Sequence, residues 1–262
     1  MNTIMKVLKY QARDAIRSRW LIGYGLFFLL VTEGLLRFSG DPVKAQLSLV
    51  SVVLFVVPLV AIVFGTVYLY NAREFVELIL AQPVNRRQTY AGLYLGLTIP
   101  LMLAFIVGLG LPFALHGAEL AAWGTLAALL LAGVVLTAVF TGVSTLIAVR
   151  CEDRLRGLGA AIAVWLLLTV VYDGFVLFIL AVMSDYPLER ATLAMMMANP
   201  IDIARVGLLL RFDGAAMMGY TGAVFLKFFG GGWGITVTIA ALTLWISAPV
   251  ALGVRLFQRK DF

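Results

Sequence analysis

The chain has 262 residues, of which 62% are hydrophobic and only 13% charged, and it carries a formal net charge of +6. These values, with a mean hydropathy of +1.00, exclude a soluble globular domain, a disordered chain and a collagen-like repeat. They predict an all-α, polytopic membrane protein with a single transmembrane domain over residues 1–262. The excess positive charge lies in loops, which indicates membrane orientation and not nucleic-acid binding.

The first nineteen residues have the pattern of an amphipathic helix. Lys6, Lys9, Arg13 and Arg17 recur at helical spacing, and apolar residues lie largely on the other side. We expect segment 1–19 to lie at the cytoplasmic interface, with its basic face among anionic headgroups of the lipid bilayer. A signal peptide is the alternative, but no small-x-small cleavage site follows the first apolar run.

Six apolar runs follow, and all but the first exceed the roughly 20 residues needed to cross ~30 Å of hydrocarbon. The predicted spans are 20–36, 47–70, 91–115, 120–149, 158–182 and 233–254. The first is short and contains Glu33, but the charge distribution requires it. With the N-terminus inside, 14 of the 20 Lys and Arg residues lie in cytoplasmic segments and 6 lie outside. Both termini are therefore expected to be cytoplasmic.

The loop after the second span, 70–90, reads YNAREFVELILAQPVNRRQTY and predicts a short amphipathic helix over 73–82. Its less polar face carries Phe75, Leu78, Ile79 and Gln82. Its charged face carries Arg73, Glu74 and Glu77. Pro83 ends the helix, and Asn85 caps the next one. A folded segment here favours a docking surface for a soluble partner, with a helix resting on lipid headgroups as the alternative.

The outer segment 183–232 is long and apolar, which predicts a helical hairpin that enters the outer leaflet or covers the mouth of the bundle. One helix is expected over 188–197. A second starts at Asn199 and Pro200, with Asp202 near the positive end of the helix dipole, and runs to about Arg211. Arg205 lies three residues after Asp202, so that the two side chains can pair.

Two acids, Glu33 and Asp173, fall inside predicted spans, where a carboxylate normally faces protein or water. Each lies roughly 20 Å from the cytoplasmic end of its span. Their matched depth predicts a shared polar region, such as a water-filled vestibule or a conformational latch. A helix-end acid bonded to a backbone group near the interface is the alternative for each residue.

Motifs for chemistry are missing from the sequence. None of its five lysines follows a glycine-rich run with Ser or Thr after it, His116 is the only histidine, and no Gly-x-Ser-x-Gly motif occurs. We therefore predict no catalytic residues and no cofactor bound by this chain. Met195, Met196 and Met197 are weak candidates for a Cu(I) site, but successive helical positions diverge by ~100° and packing is the simpler role.

Taken together, these elements resemble the ABC type-2 exporter permeases over nearly the full length. The shared features are the six spans, the basic N-terminal helix, the folded loop after the second span, the short charged loop 151–157 and the outer hairpin. More narrowly, several stretches resemble the NosY group, permeases associated with maturation of the copper enzyme nitrous oxide reductase. These stretches are YNAREFVELILAQPVNRR, WLLLTVVYDGFVLF, DYPLE, NPIDIARVGLLL, MGYTGAVFLKFFG and the closing KDF.

The resemblance implies an ABC type-2 permease fold, a homodimer of permeases in the bacterial inner membrane, and a cytoplasmic NosF-like ATPase that binds ATP and Mg. In this chain 73–82 becomes the coupling helix. A second ATPase contact is implied at Glu152, Asp153, Arg154 and Arg156. A periplasmic, β-helical NosD-like protein is implied at the outer hairpin, where Asn199, Asp202 and Arg205 are its candidate contacts. The implied role is copper or sulfur delivery to the reductase.

Two other functions stay open at this point. One is an ABC-type exporter permease for a lipid or a drug. The other is a proton-coupled secondary transporter that uses Glu33 and Asp173, although no inverted repeat is evident.

Overall fold

The apolar runs of this chain fold as helices because a segment inside a bilayer satisfies its backbone hydrogen bonds internally. A computed structural model describes residues 11–16, 18–116, 120–182, 189–212 and 232–259. The helices are α1 (Arg19–Ser39), α2 (Pro42–Asn71), α3 (Arg73–Leu80), α4 (Arg86–Leu115), α5 (Leu120–Arg150), α6 (Arg154–Val182), α7 (Glu189–Met197), α8 (Pro200–Arg211) and α9 (Gly232–Arg259). A π-helical turn, Leu167–Val171, interrupts α6.

Within the described ranges, six helices are long and apolar enough to cross a membrane, which confirms the predicted all-α, six-span fold class. They are α1, α2, α4, α5, α6 and α9. The shortest, α1, has 21 residues, so the marginal first run of the sequence is long enough to span ~30 Å.

Asx side chains fix where three of these helices begin. The carboxylate of Asp41 accepts a hydrogen bond from the backbone N–H of Val43 at 2.9 Å, and the amide oxygen of Asn85 accepts one from Arg87 at 3.0 Å. Asp153 accepts one from Leu155 at 3.1 Å. Each bond satisfies a free N–H in the first turn. Because these caps precede the apolar runs, α2, α4 and α6 start several residues before the hydrophobic segments do.

Two close crossings organise the bundle. In the first, α2 meets α5 where Gly65 faces Ser144, and a Cβ at residue 65 would lie 2.9 Å from the Ser144 Cβ. In the second, α1 meets α4 with Gly108 against the Gly25 carbonyl, beside Phe28 and Phe105, whose rings pack edge to face at 5.0 Å. Side chains larger than glycine at 65 and 108 would force these helix pairs apart.

The bundle has two ends that matter for function. The coupling end carries α3 and residues 151–153, and the hairpin end carries Gly40 and the C-terminal end of α4. At the coupling end the helical residues 11–16 dock on the bundle, since the Tyr68 hydroxyl lies 2.6 Å from the Gln11 side-chain oxygen. The rest of the predicted 1–19 helix, residues 1–10 and 17, lies outside the described residues.

The junction between α7 and α8 reaches the middle of the bundle. The Asn199 side-chain amide donates a hydrogen bond to the Leu168 carbonyl at 2.8 Å. Leu168 is midway along α6, roughly 20 Å from either end of that helix at 1.5 Å per residue. Nearby, the Tyr172 hydroxyl donates to the Met195 carbonyl at 2.5 Å. These contacts describe a hairpin that enters the bundle and does not lie flat across its end.

Candidate functional site

At the coupling end the structure joins α3 to the loop before α6. The Tyr70 hydroxyl donates a hydrogen bond to the Cys151 carbonyl at 2.9 Å, and Arg73 Nη1 donates one to the Glu152 carbonyl at 3.2 Å. A Cβ at Gly157 would collide with the Tyr70 ring, so glycine is required for this approach. Two segments that lie far apart in sequence therefore form one continuous surface, here called the coupling surface (73–82 and 152–156).

The faces of α3 differ from those predicted. Val76, at 5% exposure, is the residue buried against the bundle, where it meets Tyr90 and Phe257. Ile79 and Leu80 pack partly against the same cluster. Of the predicted face, Leu78 is therefore largely exposed and Ile79 is half-buried against the bundle, and the role of these residues in docking stays a prediction.

What remains open on α3 is Leu78, which is 70% exposed between the exposed side chains of Glu74 and Glu77. Phe75 is half-buried. Gln82 is exposed but lies beyond the helix, which ends at Leu80 and not at residue 82. The exposed surface of α3 is thus one large apolar side chain with acidic neighbours.

The first turn of α6 contributes a second apolar side chain, Leu155, which is 77% exposed. It stands between Arg154 and Arg156, and Arg156 pairs with Asp153 at 3.7 Å. On α3, Arg73 pairs with Glu77 at 3.1 Å. Sequence reasoning missed Leu155. The sequence does mark this residue, because it is a leucine between two arginines in a charged segment, where a leucine has no core to fill.

A small cavity of about 50 Å³ lies beneath α3, lined by Tyr70, Arg73, Val76, Tyr90 and Phe257 among others. This volume is enough for about one or two water molecules. Helix α3 is therefore supported by a few specific contacts and is not sealed against the bundle.

Inside the bundle, the structure brings together residues that the sequence analysis had placed in two separate groups. Arg205 Nη1 lies 2.8 Å from Asp173 Oδ2 on α6 and 3.0 Å from Asp202 Oδ1 on α8. The Asn199 amide donates to Asp202 Oδ2 at 3.0 Å. The four residues Asp173, Asn199, Asp202 and Arg205 form one unit, here called the polar cluster.

The π-helical turn of α6 lies beside the polar cluster. A π turn leaves backbone groups out of the regular i to i−4 ladder, so a carbonyl there is free to accept another donor. Leu168 in this turn accepts the hydrogen bond from Asn199. The buried hydroxyl of Thr169, in the same turn, has no hydrogen-bond partner among the described residues. The turn is thus the place where α6 is attached to the hairpin.

The charge balance of the polar cluster acts on Asp202, whose side chain is only 7% exposed. The pKa of Asp202 is raised from 3.8 to about 6, mainly by burial and also by the nearby Asp173 carboxylate, against the opposing effects of Arg205 and Asn199. Arg205 pairs with both Asp173 and Asp202, so the second negative charge of the cluster is only weakly stabilised near neutral pH.

Glu33 lies in a different environment. Its carboxylate pairs with Arg37 at 2.7 Å, one turn later on α1, and lies 3.6 Å from His116 Nε2 at the end of α4. Among the described residues Glu33 and Asp173 share no partner. The two acids therefore lie in separate ion pairs within the chain, and the common polar region expected for them stays a prediction.

The three methionines lie at successive positions on α7, and all three are half-buried. Met195 takes part in the contact with Tyr172 through its carbonyl. Consecutive helical side chains point ~100° apart, which favours packing over convergence on one ion.

Comparison with known proteins decides the family. The profile described as ABC-2 family transporter protein matches residues 5–262. The chain belongs to the ABC-2 transporter family. It is 25% identical over 283 aligned positions to "Probable ABC transporter permease protein NosY" of Stutzerimonas stutzeri, covering 99% of both chains. It is 26% identical over 285 positions to the protein of the same name in Pseudomonas aeruginosa, again over 99% of both.

These matches confirm the resemblance stated above. The chain is a multi-pass membrane protein and an ABC-2 permease subunit of a transporter, and the proteins it resembles are named NosY.

Proposed function

We propose that this ABC-2 permease converts ATP hydrolysis by a separate cytoplasmic ATPase into movement of its membrane helices, in support of copper-site maturation of nitrous oxide reductase. The observation that carries the proposal is the coupling surface, where exposed Leu78 and Leu155 stand among charged side chains on two hydrogen-bonded segments. Apolar side chains surrounded by charged ones match the usual anatomy of a protein interface, which has an apolar centre and a polar rim.

In this proposal the coupling end faces the cytoplasm, and ATP with Mg binds to the NosF-like partner. Two permease copies form the membrane unit in the bacterial inner membrane. A β-helical NosD-like protein binds at the hairpin end. The role in delivering copper or sulfur species rests on the two NosY relatives, each aligned over 99% of its length.

The internal contacts suggest how movement passes through the permease. An ATPase pushing on α3 also pushes on residues 151–153, because Tyr70 and Arg73 tie the two segments together. Residue 154 begins α6, which carries the polar cluster at its centre. A shift of α6 along its axis therefore reaches α8 through Asp173 and Arg205.

Replacing Leu78 and Leu155 with serine tests the proposed docking site. We expect each substitution to weaken ATPase binding by roughly ten-fold, from the loss of one buried leucine. The double variant should lose stoichiometric ATPase on affinity purification from membranes, while its insertion is unchanged.

The matched control is Phe38→Ser, which alters a side chain that is 94% exposed at the hairpin end. This variant should keep the ATPase. Retention of the ATPase by the Leu78→Ser, Leu155→Ser double variant would reject the docking site. The reductase-specific role has its own readout, the copper content of nitrous oxide reductase purified from a strain carrying the double variant, which should fall.

A further inference from the structure

A large groove opens between α5, α8 and α9 at the hairpin end of the bundle. Its volume is about 800 Å³, within the range of ligand sites for small molecules. Its walls are apolar and contain several small residues, including Gly124, Ala128, Ala204 and Gly207. A Cβ added at Gly124 or at Gly207 would meet no atom within 4 Å, so both positions face open space.

The groove exists because α9 packs closely against α5 only along the half of its length nearer the coupling end. Toward the coupling end, a Cβ at Gly142 of α5 would lie 3.3 Å from Val250 and 3.6 Å from Pro249, and Gly253 fits against the Tyr90 ring. Toward the hairpin end, the same two helices line the groove at 124–135 and 235–242. Over the most apolar 18-residue stretch of α9, only 6% is buried. The gap between α5 and α9 is therefore wedge-shaped and lies within membrane-spanning segments.

The length of the groove matches one leaflet of a bilayer. Six residues of α5 line it between positions 124 and 135, and at 1.5 Å per residue this twelve-residue stretch rises by ~18 Å, against ~15 Å for half of a hydrocarbon core. The hydroxyl of Thr238, on the groove wall, is satisfied by its own helix, since it donates to the Gly234 carbonyl at 2.8 Å. The walls thus favour hydrocarbon over water or a polar solute.

One charged side chain lines the groove. Arg211, in the last turn of α8, is exposed and has no ion-pair partner among the described residues. Because a bare guanidinium in hydrocarbon is costly, Arg211 is expected at the level of the headgroups, where a phosphate can pair with it. An apolar slot one leaflet deep with a cation at its edge has the charge and shape of a phospholipid site.

We propose that this groove binds one phospholipid of the surrounding bilayer, with an acyl chain between α5 and α9 and its phosphate at Arg211. The lipid fills the space between α5 and α9. It also packs against the side of α8 that faces away from α6. This site is distinct from the coupling surface and does not depend on which ATPase or cargo the permease uses.

Native mass spectrometry of the full-length protein, delipidated and titrated with palmitoyl-oleoyl-phosphatidylglycerol, tests the site. The wild type is expected to retain one lipid per chain after the loosely bound lipids are removed. The double substitution Gly124→Leu, Gly207→Leu adds side chains to the groove at two positions where a Cβ meets no protein atom within 4 Å, and it should abolish this retained lipid. Gly159→Leu is the matched control, because residue 159 also faces open space but lies on α6, outside the groove.

The headgroup contact is tested in the same titration. Arg211→Gln should weaken binding by roughly five-fold, as expected for loss of one cation beside a phosphate. Lys44→Gln, which removes another exposed cation at the hairpin end, should leave binding unchanged.

Retention of the lipid by the leucine double variant, or a wild type that keeps none, would overturn the proposal. Loss of dimers in the double variant, without a bound lipid in the wild type, would instead assign the groove to a second copy of this chain.

Discussion

At the scale of single residues, the polar cluster shows what a sequence can and cannot predict. The pair Asp202 and Arg205 follows from helical spacing, and the two side chains lie 3.0 Å apart. Asn199 as the cap of α8 follows from its position before Pro200. The contact between Arg205 and Asp173 has no such local signal, because it depends on the hairpin folding back into the bundle.

The raised pKa of Asp202 gives a pH dependence with a definite sign. In the folded protein this carboxyl has a pKa of about 6, above its ordinary 3.8, so the folded state binds the proton more tightly than the unfolded state. The resulting stabilisation is complete below about pH 4 and is lost as the pH rises through about 6. Thermal unfolding in detergent, measured from pH 4 to pH 8, should show this fall.

The comparison variant for this measurement is Asp202→Asn, which cannot titrate at that position. The unfolding temperature of the wild type should fall relative to that of the variant as the pH rises from 4 through about 6, and the difference should then level off. A constant difference between the two unfolding temperatures across this range would mean that Asp202 is not the source of the pH dependence. Protonation of Asp202 leaves Arg205 paired with Asp173, so the cluster is expected to stay together at low pH.

At the scale of elements, two short helices show how far sequence can predict the orientation and the start of a helix. The eight residues of α3 contain apolar side chains at 75, 76, 78, 79 and 80, nearly all the way round the helix. Periodicity in so short a segment cannot say which stripe faces the bundle, and the aromatic wall of Tyr90 and Phe257 decides it. For α8 the cap and the first turn are strong local signals, and the structure starts the helix at Pro200 as predicted.

The attachment of α8 to the π turn predicts an unequal effect of two similar substitutions. Asn199 and Asn85 both cap a helix, but Asn199 is fully buried and also donates to Leu168 and Asp202. Asn85→Ala should therefore cost about 1 kcal/mol of stability, the usual value for a cap. Asn199→Ala should cost about 2 to 3 kcal/mol, because it also leaves a buried carbonyl without a donor.

Chemical denaturation in mixed micelles measures both costs, and Asn199→Ser separates the two roles of Asn199. Serine keeps a cap acceptor but removes the amide donor to Leu168. Hydrogen exchange over 167–171 should increase in Asn199→Ser and stay at the wild-type level in Asn85→Ala. Unchanged exchange over 167–171 in Asn199→Ser would show that the π turn does not need this contact.

At the scale of the whole molecule, composition and run length were sufficient for the fold class, since a bilayer admits few other solutions for segments of this length. What they could not provide is the arrangement of the helices. The wedge between α5 and α9 and the entry of the hairpin both depend on side-chain fit between distant segments, such as Gly142 against Val250. Hydropathy contains no information about these contacts.

The central claim is that energy enters this permease from a separate ATPase at the coupling surface. The most direct measurement places a photo-cross-linking amino acid at Leu78 in living cells and identifies the captured protein by mass spectrometry. The same probe at Phe38, which is exposed at the opposite end of the bundle, is the control. We predict that the probe at Leu78 captures an ABC-type ATPase and that the probe at Phe38 does not. Capture of the ATPase at Phe38, or its absence at Leu78, would contradict the account.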